Sequence, residues 1–448
     1  MTLKNNSLHQ KFLKYVIPSL ISFALSGVYC IVDGYFIGNS LGDNGLAAIN
    51  IAFPLTSFIQ SAGTGIGMGG AIFYSIYKAR EDHDTKNQFF TMTLAMLAFG
   101  SVVLTVGMIL NIGPLLKLCG SSETILPLAK EYATVILLGT TFQLFGTGLV
   151  PFIRNMGSAS SAMAAMLAGF FANVGLDYLT IWVLNWGMAG AAIASVAGQL
   201  LTFIVCLISI YLNRNSEQLH YCGMDVSHIK RIISVGLSPF GLTFIPNLSL
   251  LFINRQALQF GGDNAIAVYS VIAYAITVVY LLLQGVSDGC QPLISHFYGK
   301  QDAHSANVIR RYSFIYSLVF ALVGVIGLIY FAYPIGFLFG ASEVTCVLVK
   351  ETMPVFAIGC FFVAISRTII SYFYACTINL YASICIYGEA VLMIGLLLTL
   401  PYIGSLNLLG VWLATPITQF SIMAIAVILL LFGPKSKQSF HHENMHAN

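Results

Sequence analysis

Charge is what this 448-residue sequence has least of: Asp, Glu, Lys and Arg make up 8% of it, against 57% for apolar residues. A soluble domain carries roughly 25% charged residues, so this chain could not keep its surface wet. A soluble enzyme, a disordered protein and a nucleic-acid binder are all poor readings. With a mean hydropathy of +0.84, the solvent it is built for is a lipid bilayer. Other signatures are missing as well. The nine cysteines lie mostly inside apolar runs, as at Cys206, Cys360 and Cys385, and no CxxC pair occurs. Neither a disulfide framework nor a thiolate metal site is expected. There is no GxxxxGK[ST], so no ATP-driven motor lies in this chain, and nothing else argues for an enzyme. The segment HHENMH at 441–446 is not HExxH and reads as a polar tail. The opening MTLKNNSLHQKF is polar for too long to be a signal peptide, so the first apolar run is expected to be retained.

What is present is a series of long apolar runs. A membrane span needs about 20 such residues, and twelve runs qualify, near 12–38, 45–77, 88–111, 125–153, 158–184, 188–212, 231–260, 265–298, 310–335, 345–372, 377–403 and 407–433. Basic residues alternate from loop to loop. Lys4, Lys11, Lys14, Lys78, Arg80, Lys86, Arg154, Arg214, Lys230, Arg231, Lys300, Arg310, Arg311, Lys435 and Lys437 fall on one side, with Lys117 the exception. That pattern predicts both termini in the cytoplasm.

The chain also repeats itself. At an offset of 220, Gly42-Asp43-Asn44 meets Gly262-Asp263-Asn264, Gly65 and Gly69 meet Gly285 and Gly289, and Gly190, Ala194 and Gln199 meet Gly410, Ala414 and Gln419. Only span 1 slips by one, so that Pro18 meets Pro239. An offset that carries six spans onto six spans gives two bundles of the same topology, an arrangement that marks carriers binding substrate near the midplane between halves. The expected division is an N-lobe at 1–212, a cytoplasmic linker at 213–230, a C-lobe at 231–433 and a cytoplasmic tail at 434–448.

Four acids lie well inside spans: Asp33, Asp177, Asp288 and Glu389. An acid at helix centre costs on the order of 3 kcal/mol to insert, so each calls for a reason. Counting 1.5 Å per residue puts Asp33, Asp177 and Ser195 at a common depth, roughly 8–11 Å below the outer surface. Asn173 is one turn from Asp177 on the same face. Polar stripes in the first half, including Ser19, Ser22, Ser26, Tyr29 and Asp33 in span 1 and Ser195, Gln199 and Thr202 in span 6, read as one wet interior. Two carboxylates there would share a proton or bind a hard cation such as Na⁺; no other metal is expected. The second half lacks the pair: Asn173 and Asp177 meet Met393 and Leu397, and Asp33 meets Ile253 or Asn254. Coupling chemistry should therefore sit in the first half. Glu389, near the midplane, could meet a cationic substrate or carry a proton, and Asp288, near the inner end of span 8, could be an inner-gate partner or snorkel to water. Tyr29, Tyr35 and Phe53 are candidate cavity aromatics that could stack on a flat cation, with Gln199 and Asn254 as polar companions.

Several segments resemble the multidrug and toxic compound extrusion (MATE) transporters, with the flavour of the MepA-type bacterial exporters: Pro18 with IVDGYFIGNSLGDNGLAAINIAFP at 31–54, PFIRNMGSASSAM at 151–163, NVGLDYLTIWVLNWGMAGAAIAS at 173–195, QGVSDGCQPLISHFYGK at 284–300 and LGVWLATPITQ at 409–419. The resemblance implies an all-α membrane protein of twelve transmembrane helices in two pseudo-symmetric six-helix bundles, V-shaped. It further implies a multi-pass protein of the bacterial inner membrane, expected as a monomer, that exports small organic cations and multiple drugs by antiport with H⁺ or Na⁺ and needs no cofactor beyond that ion. The family's helix-1 aspartate falls on Asp33, its helix-5 Asn and Asp on Asn173 and Asp177, and its helix-6 hydroxyl, usually Thr, on Ser195. Acids used by some members in helices 7 and 10 are absent here. A lipid or lipid-linked oligosaccharide flippase of the same superfamily is the alternative; an anionic headgroup would call for basic residues at mid-depth, and the sequence offers almost none.

Overall fold

The structure, a computed structural model, describes residues 2–220, 222–339 and 341–433, with the side chains of 2–6, 29–35, 37–39, 41–44, 46 and 263 left aside. Among these residues there is no strand. Hydrocarbon offers the backbone no hydrogen-bond partner, so each segment must satisfy its own amides, and a helix does so. The elements are α1 (Thr2–Ala79), α2 (His83–Leu110), α3 (Ile112–Leu118), α4 (Leu126–Leu138), α5 (Thr140–Asn155), α6 (Ala159–Asp177), a π-helical turn (Tyr178–Val183), α7 (Gly187–Asn213), α8 (Ser227–Gly299), α9 (Ala303–Tyr330), α10 (Ala332–Leu338), α11 (Glu343–Ala357), α12 (Gly359–Ala375), α13 (Asn379–Thr399), a 3₁₀ turn (Leu400–Tyr402) and α14 (Asn407–Phe432).

Among the described residues ten helices are long and apolar enough to cross a membrane, eleven if α4 and α5, bent by 58° at Gly139, count as one span. The expected run at 45–77 is helical and lies within α1. The helices wear their apolar residues outward: α2 buries Phe89, Met92 and Leu97 and exposes Phe99, Val102, Val106 and Leu110. In water such a face would be an aggregation site; in a bilayer it is the solvated one.

The duplication is visible in the backbone. The bounds of α2 and α3 reappear in α9 and α10 at an offset of 220. Left-handed residues recur at the same offset, Glu81 with Gln301, Gly157 with Thr377 and Gly187 with Asn407. The halves part company just after α6 and α13, where the first makes a six-residue π-helical turn and the second a short 3₁₀ turn.

Both long helices fold back. In α8 the break is Gly262, at φ +66° and ψ −162°, a conformation that only glycine enters cheaply. In α1 the reversal follows from its contacts. A methyl group on Gly289 would lie 2.8 Å from the Val16 backbone, while the Ser75 hydroxyl donates to the Pro292 carbonyl at 3.3 Å. A straight helix from Val16 to Ser75 would measure roughly 90 Å, yet its two ends meet residues one turn apart.

The chain forms two compact units, 1–250 with 284–309, and 251–283 with 310–448. The first unit is held at two pseudo-equivalent crossings. Gly285 and Gly289 pack on Leu20 and Val16, and Gly65 and Gly69 on Gly236 and Ile232, with a Cβ on Gly236 only 2.4 Å from the Gly65 carbonyl oxygen. In the second unit, Tyr269 stacks on Trp412 at 5.9 Å and Phe356 meets Trp412 edge-on at 5.7 Å.

Candidate functional site

The last turn of α6 carries Asn173 and Asp177, and α7 brings Ser195 against them. Two glycines allow the approach: a Cβ on Gly169 would sit 2.0 Å from the Thr202 Oγ1, and one on Gly198 3.0 Å from the Asn173 Cβ. Asp177 is fully buried. With the Asn173 amide oriented by its hydrogen bonds, Nδ2 donates to Asp177 Oδ2 at 3.0 Å and Oδ1 accepts from the Ser195 N–H at 3.1 Å. Asp177 is also the residue from which the π-helical turn starts, and Thr180 in that turn donates to the Leu176 carbonyl at 2.8 Å and lies 3.0 Å from the Gly190 carbonyl on α7. Single π turns inside α-helices recur at functional sites, and nothing in the apolar pattern of the sequence signals this one. The Asp177 carboxylate is a hard oxygen donor suited to a proton or an alkali cation, with the Asn173 amide N–H bonded to one of its oxygens and Ser195 held beside it through the amide oxygen.

Asp33, Tyr29 and Tyr35 lie outside the described side chains, although their backbone is part of α1. One turn beyond Asp33, Phe36 meets Trp182 edge-on with ring centres 5.1 Å apart, so that stretch of α1 runs beside the turn that follows Asp177. The polar stripes are less wet than the sequence implies. Ser22 donates to the Pro18 carbonyl, Ser61 to that of Ser57 and Thr202 to that of Gly198, each buried and bonded within its own helix. Of the other candidates, Phe53 is 46% exposed, Gln199 is half-buried facing α5, and Asn254 and Glu389 are half-buried in the second unit.

Asp288 is not at a water-facing helix end. It is buried and paired with Arg154, Nη1 to Oδ2 at 3.6 Å, with side chains 6% and 9% exposed for the arginine and the aspartate. Gln284 donates to its other oxygen at 2.6 Å. Beside the pair, Asn155 donates to Gln291 at 3.1 Å, and the Arg154 guanidinium lies 5.6 Å from the centre of the Phe23 ring. Arg154 reads in the sequence as a loop charge; the structure places it inside α5, tying α5 to α8. The sequence gives no sign of the pairing because the two residues are far apart along the chain.

A family model described as MatE matches residues 18–179 and again 239–398, together more than half of the chain. The chain belongs to the MatE family. The two matches open at Pro18 and Pro239, the pair that the internal repeat also aligns. As a MatE member it is a multi-pass membrane protein of a transporter family rather than of an enzyme family. The multidrug export protein MepA of Staphylococcus haemolyticus is 23% identical over 327 residues, 71% of each chain. The same protein of Staphylococcus saprophyticus is 25% identical over 332 residues, 72% of each. Among solved structures, an outward-facing multidrug resistance MATE family transporter of the MOP superfamily superposes with a TM-score of 0.87, covering 93% of this chain and 94% of that one at 21% identity. The MatE fold of this chain is thereby shown.

Proposed function

We propose that this MatE protein is a secondary active exporter of small organic cations, multiple drugs among them, working by antiport with H⁺ or Na⁺ through alternating access. One comparison inside the chain carries the reading. At the position equivalent to Asp177 the second half holds Leu397, equally buried, and at that of Asn173 it holds Met393. The fold is thus built once with apolar residues at these two places. The first half keeps a carboxylate there against a desolvation cost, and a residue held against its cost of burial inside a membrane marks an ion pathway.

In this mechanism H⁺ or Na⁺ from outside occupies Asp177 together with Asp33, helped by the Asn173 amide and the Ser195 hydroxyl. Neutralising the carboxylates removes their attraction for a cationic cargo. It also removes the charge that opposes a drier packing of α1 against α6, and α1 bends at Pro18. Within the first unit, Tyr29, Tyr35, Phe53 and Gln199 are the residues we assign to the cargo; Asn254 and Glu389 are the candidates that the second unit offers by itself. One charge moving through 100 mV supplies about 2.3 kcal/mol per cycle. The Arg154–Asp288 pair is the proposed inner latch. The basic loops support a bacterial inner-membrane location with both termini in the cytoplasm, and a monomer is the working unit.

The test is a proteoliposome assay with pH and Na⁺ gradients imposed separately, reading a fluorescent lipophilic cation. One gradient should drive accumulation opposite to its own direction, and Asp33→Asn and Asp177→Asn should abolish that while the protein remains folded. Full gradient-driven transport by either variant would defeat the proposal.

A further inference from the structure

The segment joining the two repeats is fastened to the ends of α1 and α2 around one residue, Glu217. Its carboxylate accepts from Tyr74 at 2.7 Å and from Lys78 at 2.5 Å, and its carbonyl accepts from the buried Lys86 ammonium. Asn87 donates to the next carbonyl, that of Gln218, at 3.0 Å. This clamp delivers His220 and Cys222 to the first turn of α2, where Asp84 stands. One ligand atom from each of Asp84, His220 and Cys222 lies within 4.8 Å of the other two, and His220 Nε2 is 3.4 Å from Asp84 Oδ1.

We propose that Asp84, His220 and Cys222 form a binding site for a borderline divalent cation of the Zn²⁺ class, which would pin the inter-repeat linker to α2. A thiolate, an imidazole and a carboxylate are the donor types that Zn²⁺ takes, and three protein ligands with a water in the fourth position is a common arrangement for it. Tetrahedral bonds of 2.0–2.3 Å place ligand atoms roughly 3.3–3.8 Å apart, so His220 and Asp84, at 3.4 Å, already stand at a coordinating separation, and the Cys222 thiol, within 4.8 Å of both, has at most about 1.5 Å to close. Asp84 and His220 have exposed side chains, 84% and 51%, and rotamer changes at such positions are cheap. Cys222 is only half-buried, and its thiol proton leaves to solvent on binding.

The histidine also has the support that a metal ligand needs. Metal-binding imidazoles usually donate their second N–H to a carbonyl or carboxylate, which fixes the tautomer. Nδ1 of His220 lies 3.1 Å from the Gln218 carbonyl. Donation there leaves the Nε2 lone pair aimed at Asp84 and Cys222. In the other tautomer the same Nδ1 accepts from Asn87 Nδ2 at 3.0 Å and Nε2–H faces the Asp84 carboxylate. Cation binding therefore selects the tautomer that carries its proton on Nδ1. The CxxC rule misses it because the ligands come from a helix start and from a linker well over a hundred residues further along the chain.

The experiment uses full-length protein in detergent, with His441, His442 and His446 replaced by Ala so that the tail adds no imidazole. Co²⁺ is titrated first, and Zn²⁺ is then titrated in competition with a chromophoric chelator. One Co²⁺ per chain is expected to bind with a thiolate-to-cobalt charge-transfer band that Zn²⁺ erases. Cys222→Ser should remove the band. Each of Cys222→Ser, His220→Ala and Asp84→Asn should weaken Zn²⁺ binding by more than the 10–100-fold typical of losing an outer-shell partner, while Cys119→Ser changes neither readout. A cobalt spectrum without the thiolate band, or Zn²⁺ binding by Cys222→Ser or Asp84→Asn as tight as that of the parent, overturns the proposal.

Discussion

Replacing Asn173 and Asp177 together by the residues that the second half holds at the same places separates a structural role from a functional one. The variant is Asn173→Met with Asp177→Leu, and its precedent within the chain is Met393 with Leu397, both nearly fully buried. Changing both residues matters. With Asp177 alone gone, the Asn173 amide would lose its 3.0 Å acceptor, and an orphaned buried donor costs about 1–3 kcal/mol. With both gone, the carboxylate's insertion cost of about 3 kcal/mol is relieved and apolar burial is gained. Replacing a buried ionic group by packed apolar residues is often neutral or stabilising by about 1–4 kcal/mol. The double variant should therefore unfold at equal or higher dodecyl sulfate fraction in mixed micelles, with a gain of roughly 0–3 kcal/mol, and show no gradient-driven export. If it is destabilised by more than about 2 kcal/mol, or if it exports at the parental rate, the reasoning fails: the first outcome makes the pair structural, the second makes it dispensable.

Three more outcomes follow from the geometry of the first unit. Removing one partner of the Arg154–Asp288 pair, as Arg154→Met or Asp288→Asn, should cost about 3 kcal/mol, because the other charge stays buried, whereas Arg154→Met with Asp288→Leu should cost far less than the sum; additive losses in the unfolding cycle would show that the two do not interact. Glu217→Gln weakens the Tyr74 and Lys78 contacts, of which Lys78 is partly exposed, so a stability loss of only about 1 kcal/mol is expected, but trypsin should cut at the exposed Arg214 measurably faster; an unchanged digestion rate would remove Glu217 as the clamp. Gly236→Val drives a side chain into the Gly65 carbonyl and should destabilise the protein by roughly 1–3 kcal/mol, whereas Gly107→Val, where a Cβ meets nothing within 4 Å, should leave the unfolding midpoint unchanged.

Much of the fold was legible because the bilayer makes a strong demand that leaves a strong trace. Ten of the expected runs correspond to helices long and apolar enough to span, and the bent pair α4 and α5 falls on an eleventh. The offset of 220 announced features that only coordinates can display, such as left-handed Gly187 and Asn407 at matching loop starts. What stayed hidden has two causes. Long-range pairing leaves no local signal: Arg154 reads as a solvated loop charge, yet Asp288 lies 3.6 Å away. Serine, in turn, is ambiguous by chemistry. At helical spacing a hydroxyl can face a wet cavity or bond back to the carbonyl four residues earlier, and Ser22, Ser61 and Thr202 do the latter. The carboxylates do not share this ambiguity, since the backbone inside a helix has no free N–H to offer a charge.

That difference bears on how a duplicated carrier can divide its labour. Two bundles built from one sequence pattern need the same helix crossings, and both keep the glycines that make them, Gly65 and Gly69 in one half, Gly285 and Gly289 in the other. A buried acid is under the opposite pressure: each copy costs stability, so a second copy persists only if it is used. The halves agree where packing requires it and diverge in the turn after Asp177, where one is π-helical and the other 3₁₀. A π turn widens the helical register and recurs at functional sites, and here the Thr180 hydroxyl within it bonds to the Leu176 carbonyl next to Asp177. If the ion acts there, its binding is coupled to movement of α7 through Thr180 and Gly190 and of α1 through Phe36 and Trp182. Thr180→Val, which keeps the shape and removes the hydroxyl, should then weaken the dependence of export on the driving gradient more than it lowers stability, and a loss in stability alone would confine the turn to a packing role.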